Sequence, residues 1–112
     1  GTQPVDLVLL DWMMPGLSGL DTLRAIRQSH SQDKLPVIMC TALGEDDNIV
    51  EAIESGATDY VVKPISLPVL RARMATHLNR CATIAALEHE RDASVKRMSE
   101  QMRRLMELRA AQ

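Results

Sequence analysis

A chain of 112 residues, 46% of them hydrophobic, has material for one ordinary domain, or for a small domain with an appendage, and can fill a core. The net charge of −2 is split unevenly, ten acids against six Lys and Arg over residues 1–79 and five against seven over residues 80–112. No polyanion-binding stripe follows from that, so direct nucleic-acid binding is not expected; apolar runs such as Leu7–Leu10 are far too short to cross a bilayer, and the expected location is the cytoplasm.

Val5–Leu10, rich in Val and Leu and interrupted only by Asp6, reads as a strand buried on both faces and ended by Asp11. Met14-Pro15-Gly16 breaks it. Leu20, Leu23 and Ile26 then recur at helical spacing from Ser18 onward, with Asp21 early and Arg24 and Arg27 late as the helix dipole favours, to an end near His30. Pro36–Thr41 is a second apolar strand, and Glu45–Ser55 a second amphipathic helix, acidic in its first turn and stopped at Gly56. Asp59–Val62 makes a third strand, closed by Lys63-Pro64, and Leu67, Leu70, Met74 and Leu78 mark a third helix. Cys40 and Cys81 have neither metal-ligand nor disulfide-framework spacing and read as buried free thiols.

Strands alternating with helices imply a parallel sheet with right-handed crossovers, the first two helices on one face and the third on the other. Chemistry in such sheets gathers beyond the carboxyl ends of the strands. Asp11, Thr41 and Lys63 each stand at one of those ends. Singly each has a structural reading: a turn-forming Asp, a packed Thr, a solvated Lys before proline. Together, a carboxylate nucleophile, a hydroxyl donor and an ammonium suit an aspartyl-phosphate site, because phosphoryl transfer is mainly positioning and electrostatics.

Neither Gly nor Pro occurs over residues 69–112, so the third helix is expected to run on, about 60 Å at about 1.5 Å per residue. A heptad seam can be written through Leu67, Leu70, Met74, His77, Cys81, Ile84, Glu88, Arg91, Val95, Met98, Met102, Leu105 and Arg109. A parallel two-stranded coiled coil, and hence a homodimer, is the natural arrangement. Glu88 and Arg91 form a polar layer, either a break between packed segments or a register-setting device, and Leu87, Met106 and Leu108 beside the seam allow another register or more strands.

Val5-Asp6-Leu7-Val8-Leu9-Leu10-Asp11-Trp12-Met13-Met14-Pro15-Gly16-Leu17-Ser18-Gly19-Leu20 resembles the phosphorylation-site segment of response-regulator receiver domains. Thr41-Ala42 and Asp59-Tyr60-Val61-Val62-Lys63-Pro64 resemble the family's two later motifs, at matching distances. The resemblance implies an α/β fold, a flavodoxin-like doubly wound parallel sheet, with residues 1–80 as the family's third strand through fifth helix and residues 81–112 as a coiled-coil linker. It implies that Asp11 accepts a phosphoryl group from a sensor histidine kinase or phosphotransfer protein, and that Thr41 and Lys63 hold that group. Asp11 and the Met13 backbone carbonyl would face Mg²⁺, Tyr60 would swing inward when Thr41 moves, and the Lys63-Pro64 bond would be cis.

The family's metal-holding acid pair, from its first strand, is not among these 112 residues, and Asp6 lies at the wrong end or on the wrong face of its strand to replace it. Mg²⁺ is therefore expected for a complete receiver and weak or absent for this chain, with Val5–Leu10 left as an apolar edge that a longer protein or a partner subunit would cover. In some receivers a helix of this kind leads to an output domain, commonly a nucleotide cyclase, phosphodiesterase or kinase module, so the expected role is a phosphoacceptor regulator and not an enzyme. The rival reading is a receiver-like module that docks or dimerises without phosphorylation. A dehalogenase-type phosphatase would need an acid where Met13 stands, and after His89-Glu90 the residues Arg91-Asp92-Ala93 do not continue a sensor-kinase motif.

Overall fold

The computed structural model describes residues 4–14 and 16–110; the expected break at Pro15 lies outside them. Three parallel strands, β1 (Val8–Asp11), β4 (Val37–Ala42) and β5 (Asp59–Lys63), form a sheet in the order β1-β4-β5. Between the first two lie a short antiparallel ribbon, β2 (Met13–Met14) with β3 (Leu17–Ser18), and helix α1 (Gly19–Ser29). Helix α2 (Asp46–Glu54) joins β4 to β5, and α3 (Leu67–Ala110) follows.

The first strand begins at Val8, three residues later than its apolar pattern implied. Its ladder opens with Val8 opposite Val37, immediately after Pro36, which has no N–H to extend the pairing; Val5 is left exposed. Ser18 caps α1, its hydroxyl accepting from the Asp21 N–H, and His30 closes it. Glu45 stands at the N-cap of α2, and after Ser55 the chain turns through Gly56 at φ 106°, a conformation open to glycine at little cost.

Side chains alternate across a strand, so the register sorts the core into two layers. Leu10, Val37 and Met39 meet Leu20 and Leu23 of α1 and Ala52 of α2 on one face. On the other, Ile38, Cys40 and Val61 are covered by Leu70 and Met74 of α3. Those are the layers that right-handed crossovers require. At the end of the sheet where β4 and β5 begin, Arg27 donates to the carbonyls of Gly56 (2.7 Å), Leu35 (2.6 Å) and His30 (3.2 Å) and to Thr58 Oγ1 (3.2 Å).

Two compact units result, Gly1–Cys81 and Ala82–Gln112. The first holds the sheet and the opening of α3, and here the expected heptad seam needs correcting. Leu70 and Met74 are spent on the domain's own core, and His77 bonds Asp59, because the second sheet face has to be covered by something. Cys40 is buried as expected; Cys81 is only half-buried, its thiol 3.7 Å from the Gln32 carbonyl oxygen. In the second unit Val95, Met98, Met102 and Leu105 lie exposed along the helix. No helix among the described residues is long and apolar enough to cross a membrane.

Candidate functional site

Asp11 ends β1 and Lys63 ends β5, with β4 between them. Asp11 is opposite Cys40, and Ala42 is opposite Lys63, which puts all four on one sheet face. Lys63 Nζ donates across the end of β4 to Asp11 Oδ2 at 2.7 Å, and the Met13 N–H donates to Oδ1 at 3.0 Å. The bond from Lys63, then that from Met13, holds the Asp11 carboxyl below the ordinary carboxylate range. It is thus an anion at neutral pH, as a nucleophile must be. Side-chain exposures of 44% for Lys63 and 38% for Asp11 mean that water screens the pair, so it contributes charge at a strand end more than stability.

The backbone around Asp11 is pinned. The Trp12 N–H donates to the Cys40 carbonyl at 2.9 Å, and the Gly19 N–H to the Trp12 carbonyl at 3.2 Å. That second bond draws the start of α1 so close to β1 that a Cβ on residue 19 would strike the Asp11 carbonyl oxygen. Glycine at 19 is therefore a requirement of the site's own backbone.

A cavity of about 330 Å³ opens over the ion pair. Asp11, Met13 and Lys63 line it, as do Glu45 and Asn48 from the start of α2, two residues that sequence reasoning missed. Their one signal was position: the segment after Thr41 begins a helix whose N-terminus faces the strand ends. Cys40 also borders the cavity, where burial first, and the Asp11 charge second, push its thiol up and favour the neutral form.

Thr41 is placed differently from Asp11 and Lys63. It is opposite Val62 and so shares the other sheet face with Tyr60. Its side chain is buried, 2% exposed, with Oγ1 lacking a hydrogen-bond partner, and it does not line the cavity. Tyr60 packs half-buried against the cluster around Leu23 and Met39. The Lys63–Pro64 peptide bond is cis.

Mg²⁺ takes near-octahedral oxygen ligation, and each Asp11 oxygen accepts one hydrogen bond, from Met13 N–H and from Lys63 Nζ. Among the described residues no group of three or more His, Cys, Asp or Glu is arranged to hold a metal.

Comparison with known proteins agrees with this geometry. Residues 1–75 match the model of the response regulator receiver domain. The phosphate regulon transcriptional regulatory protein PhoB of Rhizobium meliloti is 49% identical over 75 residues, 67% of this chain and 33% of that protein. The chemotaxis protein CheY of Pseudomonas aeruginosa is 44% identical over 69 residues, 62% of this chain and 56% of CheY. Among solved structures, the receiver domain of Francisella response regulator 1452 superposes with a TM-score of 0.61 at 35% identity, over 70% of this chain and 64% of that one. The receiver domain of NtrX from Brucella abortus gives 0.61 at 32% identity, over 67% and 62%. The chain spans about a third of the length of the PhoB relatives it matches. With its parallel sheet, strand-end acid and lysine, and a family match over two thirds of its length, this chain belongs to the response regulator receiver domain family.

Proposed function

We propose that this chain is the phosphoacceptor of a two-component phosphorelay, working in the cytoplasm, in which Asp11 receives a phosphoryl group from a histidine kinase or phosphotransfer protein. The observation that carries the reading is the Lys63–Asp11 contact of 2.7 Å at the mouth of a cavity. An Asp11 oxygen attacks phosphorus, the O–P bond forms as the P–N bond to the donor imidazole breaks, and the imidazole leaves with a proton from water. Lys63 shifts from the carboxylate to the transferring group and offsets its charge. The unpartnered Thr41 hydroxyl then has reason to turn toward a phosphoryl oxygen, since a buried hydroxyl without a partner is costly. Its departure leaves room on the face it shares with Tyr60.

The change passes through the face formed by α2 and α3 to residues 82–110 of α3, which pair with a second copy through Val95, Met98, Met102 and Leu105. An output module receives it there. The chain is regulatory in this reading and performs no turnover of its own.

Prolonged incubation with phosphoramidate and Mg²⁺, followed by intact mass analysis, tests the acceptor. A hydroxylamine-labile gain of one phosphoryl group, abolished by Asp11→Asn, is expected. Its formation is expected to be slow, because the described residues leave Mg²⁺ with few ligands. No gain, or a gain that survives Asp11→Asn, refutes the acceptor role and leaves a docking or dimerisation module in its place.

A further inference from the structure

One residue of α3 touches side chains from both faces of the sheet. β5 is an edge strand, Asp59 and Tyr60 are its first two residues, and successive residues of a strand face opposite ways. Asp59 lies on the α3 side, where Oδ1 accepts from Arg73 Nη1 at 2.8 Å and Oδ2 meets His77 Nε2 at 2.8 Å. Tyr60 lies on the other side, packed against the α1 and α2 layer. Yet the Arg73 guanidinium carbon sits 5.6 Å from the Tyr60 ring centroid, within cation–π range. Arg73 therefore reaches around the open edge of β5 and joins the two faces.

The anchor beneath it is mostly out of water, with side-chain exposures of 19% for Asp59 and 14% for His77. Burial alone would raise the Asp59 carboxyl. The bonds from His77, from the Tyr60 N–H and from Arg73 outweigh it, and the group stays ionised. Removing one member of such a buried set leaves a desolvated charge, which makes these contacts matter more than solvated surface pairs. Arg73 Nε and His77 Nδ1 are buried without partners, so the guanidinium is held at one end and by the ring.

We propose that Arg73 is a positioning residue that ties the side-chain position of Tyr60 to α3, with Asp59 and His77 as the anchor that keeps Arg73 in place. The purpose of the tie rests on the phosphoacceptor reading; the tie itself does not. When the Tyr60 ring moves, it leaves the guanidinium, and residues 74–81 of α3 lose part of their hold on the sheet. By reciprocity, whatever holds those turns in place biases Tyr60 to the same degree.

Hydrogen exchange of the α3 amides in residues 74–81 tests this in a double-mutant cycle of the 112-residue chain. Tyr60→Leu is expected to speed their exchange by a factor roughly fivefold larger in the parent than in an Arg73→Gln background, a coupling usual for residues in contact. Equal factors in both backgrounds overturn the proposal. Should Arg73→Gln fail to fold by circular dichroism, Arg73→Lys replaces it with the same expectation, since lysine keeps the charge near Asp59 and loses the planar stack. Intact mass of the phosphoramidate-treated parent is read alongside. An absent acyl phosphate sinks the acceptor reading and leaves the cycle to stand or fall on its own.

Discussion

Gly19→Ala isolates how tightly α1 is set against the strand that ends in Asp11. Two effects oppose each other. Alanine lowers the entropy of the unfolded chain and stabilises by up to about 1 kcal/mol where it fits. Here the added Cβ would meet the carbonyl oxygen of Asp11 and also crowd the Cα of Trp12, both main-chain atoms that no rotamer change can move aside. Overpacking costs about 1–3 kcal/mol, and a backbone obstacle belongs at the upper end of that range. The net loss is therefore about 2 kcal/mol. For the 81-residue unit Gly1–Cys81 each kcal/mol corresponds to about 4–8 °C, so the midpoint should fall by about 8–16 °C. Urea titrations followed by Trp12 fluorescence, beside a calorimetric melt, measure both quantities. A Gly19→Ala variant as stable as its parent, with the same urea slope, would show that α1 is free to shift and that the close approach does not constrain Asp11.

Lys63→Met should let the Asp11 carboxyl titrate at higher pH than in the parent, since the Lys63 bond is the largest influence lowering it; carbon-detected NMR of the carboxyl reads this directly, and an unmoved midpoint would refute the assignment. Asp59 is also held below its ordinary value of 3.8, so the folded protein gains stability above that value and loses it as pH falls through the lowered one. Asp59→Asn removes that dependence: its urea midpoint should lie below the parent's at neutral pH and fall less steeply below about pH 5. In the second unit, Leu105→Glu would strip two leucines from a paired seam, at about 1.5 kcal/mol or more each. Sedimentation should then report at least about hundredfold weaker self-association. A dimer of unchanged strength would place the interface elsewhere.

The layout of the sheet was legible because apolar strands and amphipathic helices alternate, and because parallel strands put Asp11 and Lys63 at the same end. Side-chain parity was not. Asp11 and Thr41 looked alike as strand-end residues, but the sheet pairs Asp11 with Cys40, which sends Thr41 to the opposite face. β4 is apolar and buried on both faces, so its hydrophobic pattern lacks the alternation that would fix its register against β1. His77 was hidden for a different reason. Its spacing suits a heptad seam, yet its partner Asp59 lies 18 residues away on β5, and only the docking of α3 on the sheet brings the two together. Glu45 and Asn48 have no motif of their own and become visible only once α2 is placed beside the strand ends.

The Arg27 clamp also bears on how the domain assembles. Its acceptors lie 8 residues away at Leu35 and 29 residues away at Gly56, in the connections that lead into β4 and β5. The full set of bonds therefore exists only after α1, both of those connections and the strands behind them have docked. Such an arginine has its complete set of partners only in the assembled domain, and it penalises the local opening of any one connection. The end of the sheet remote from Asp11 should consequently open as one cooperative unit.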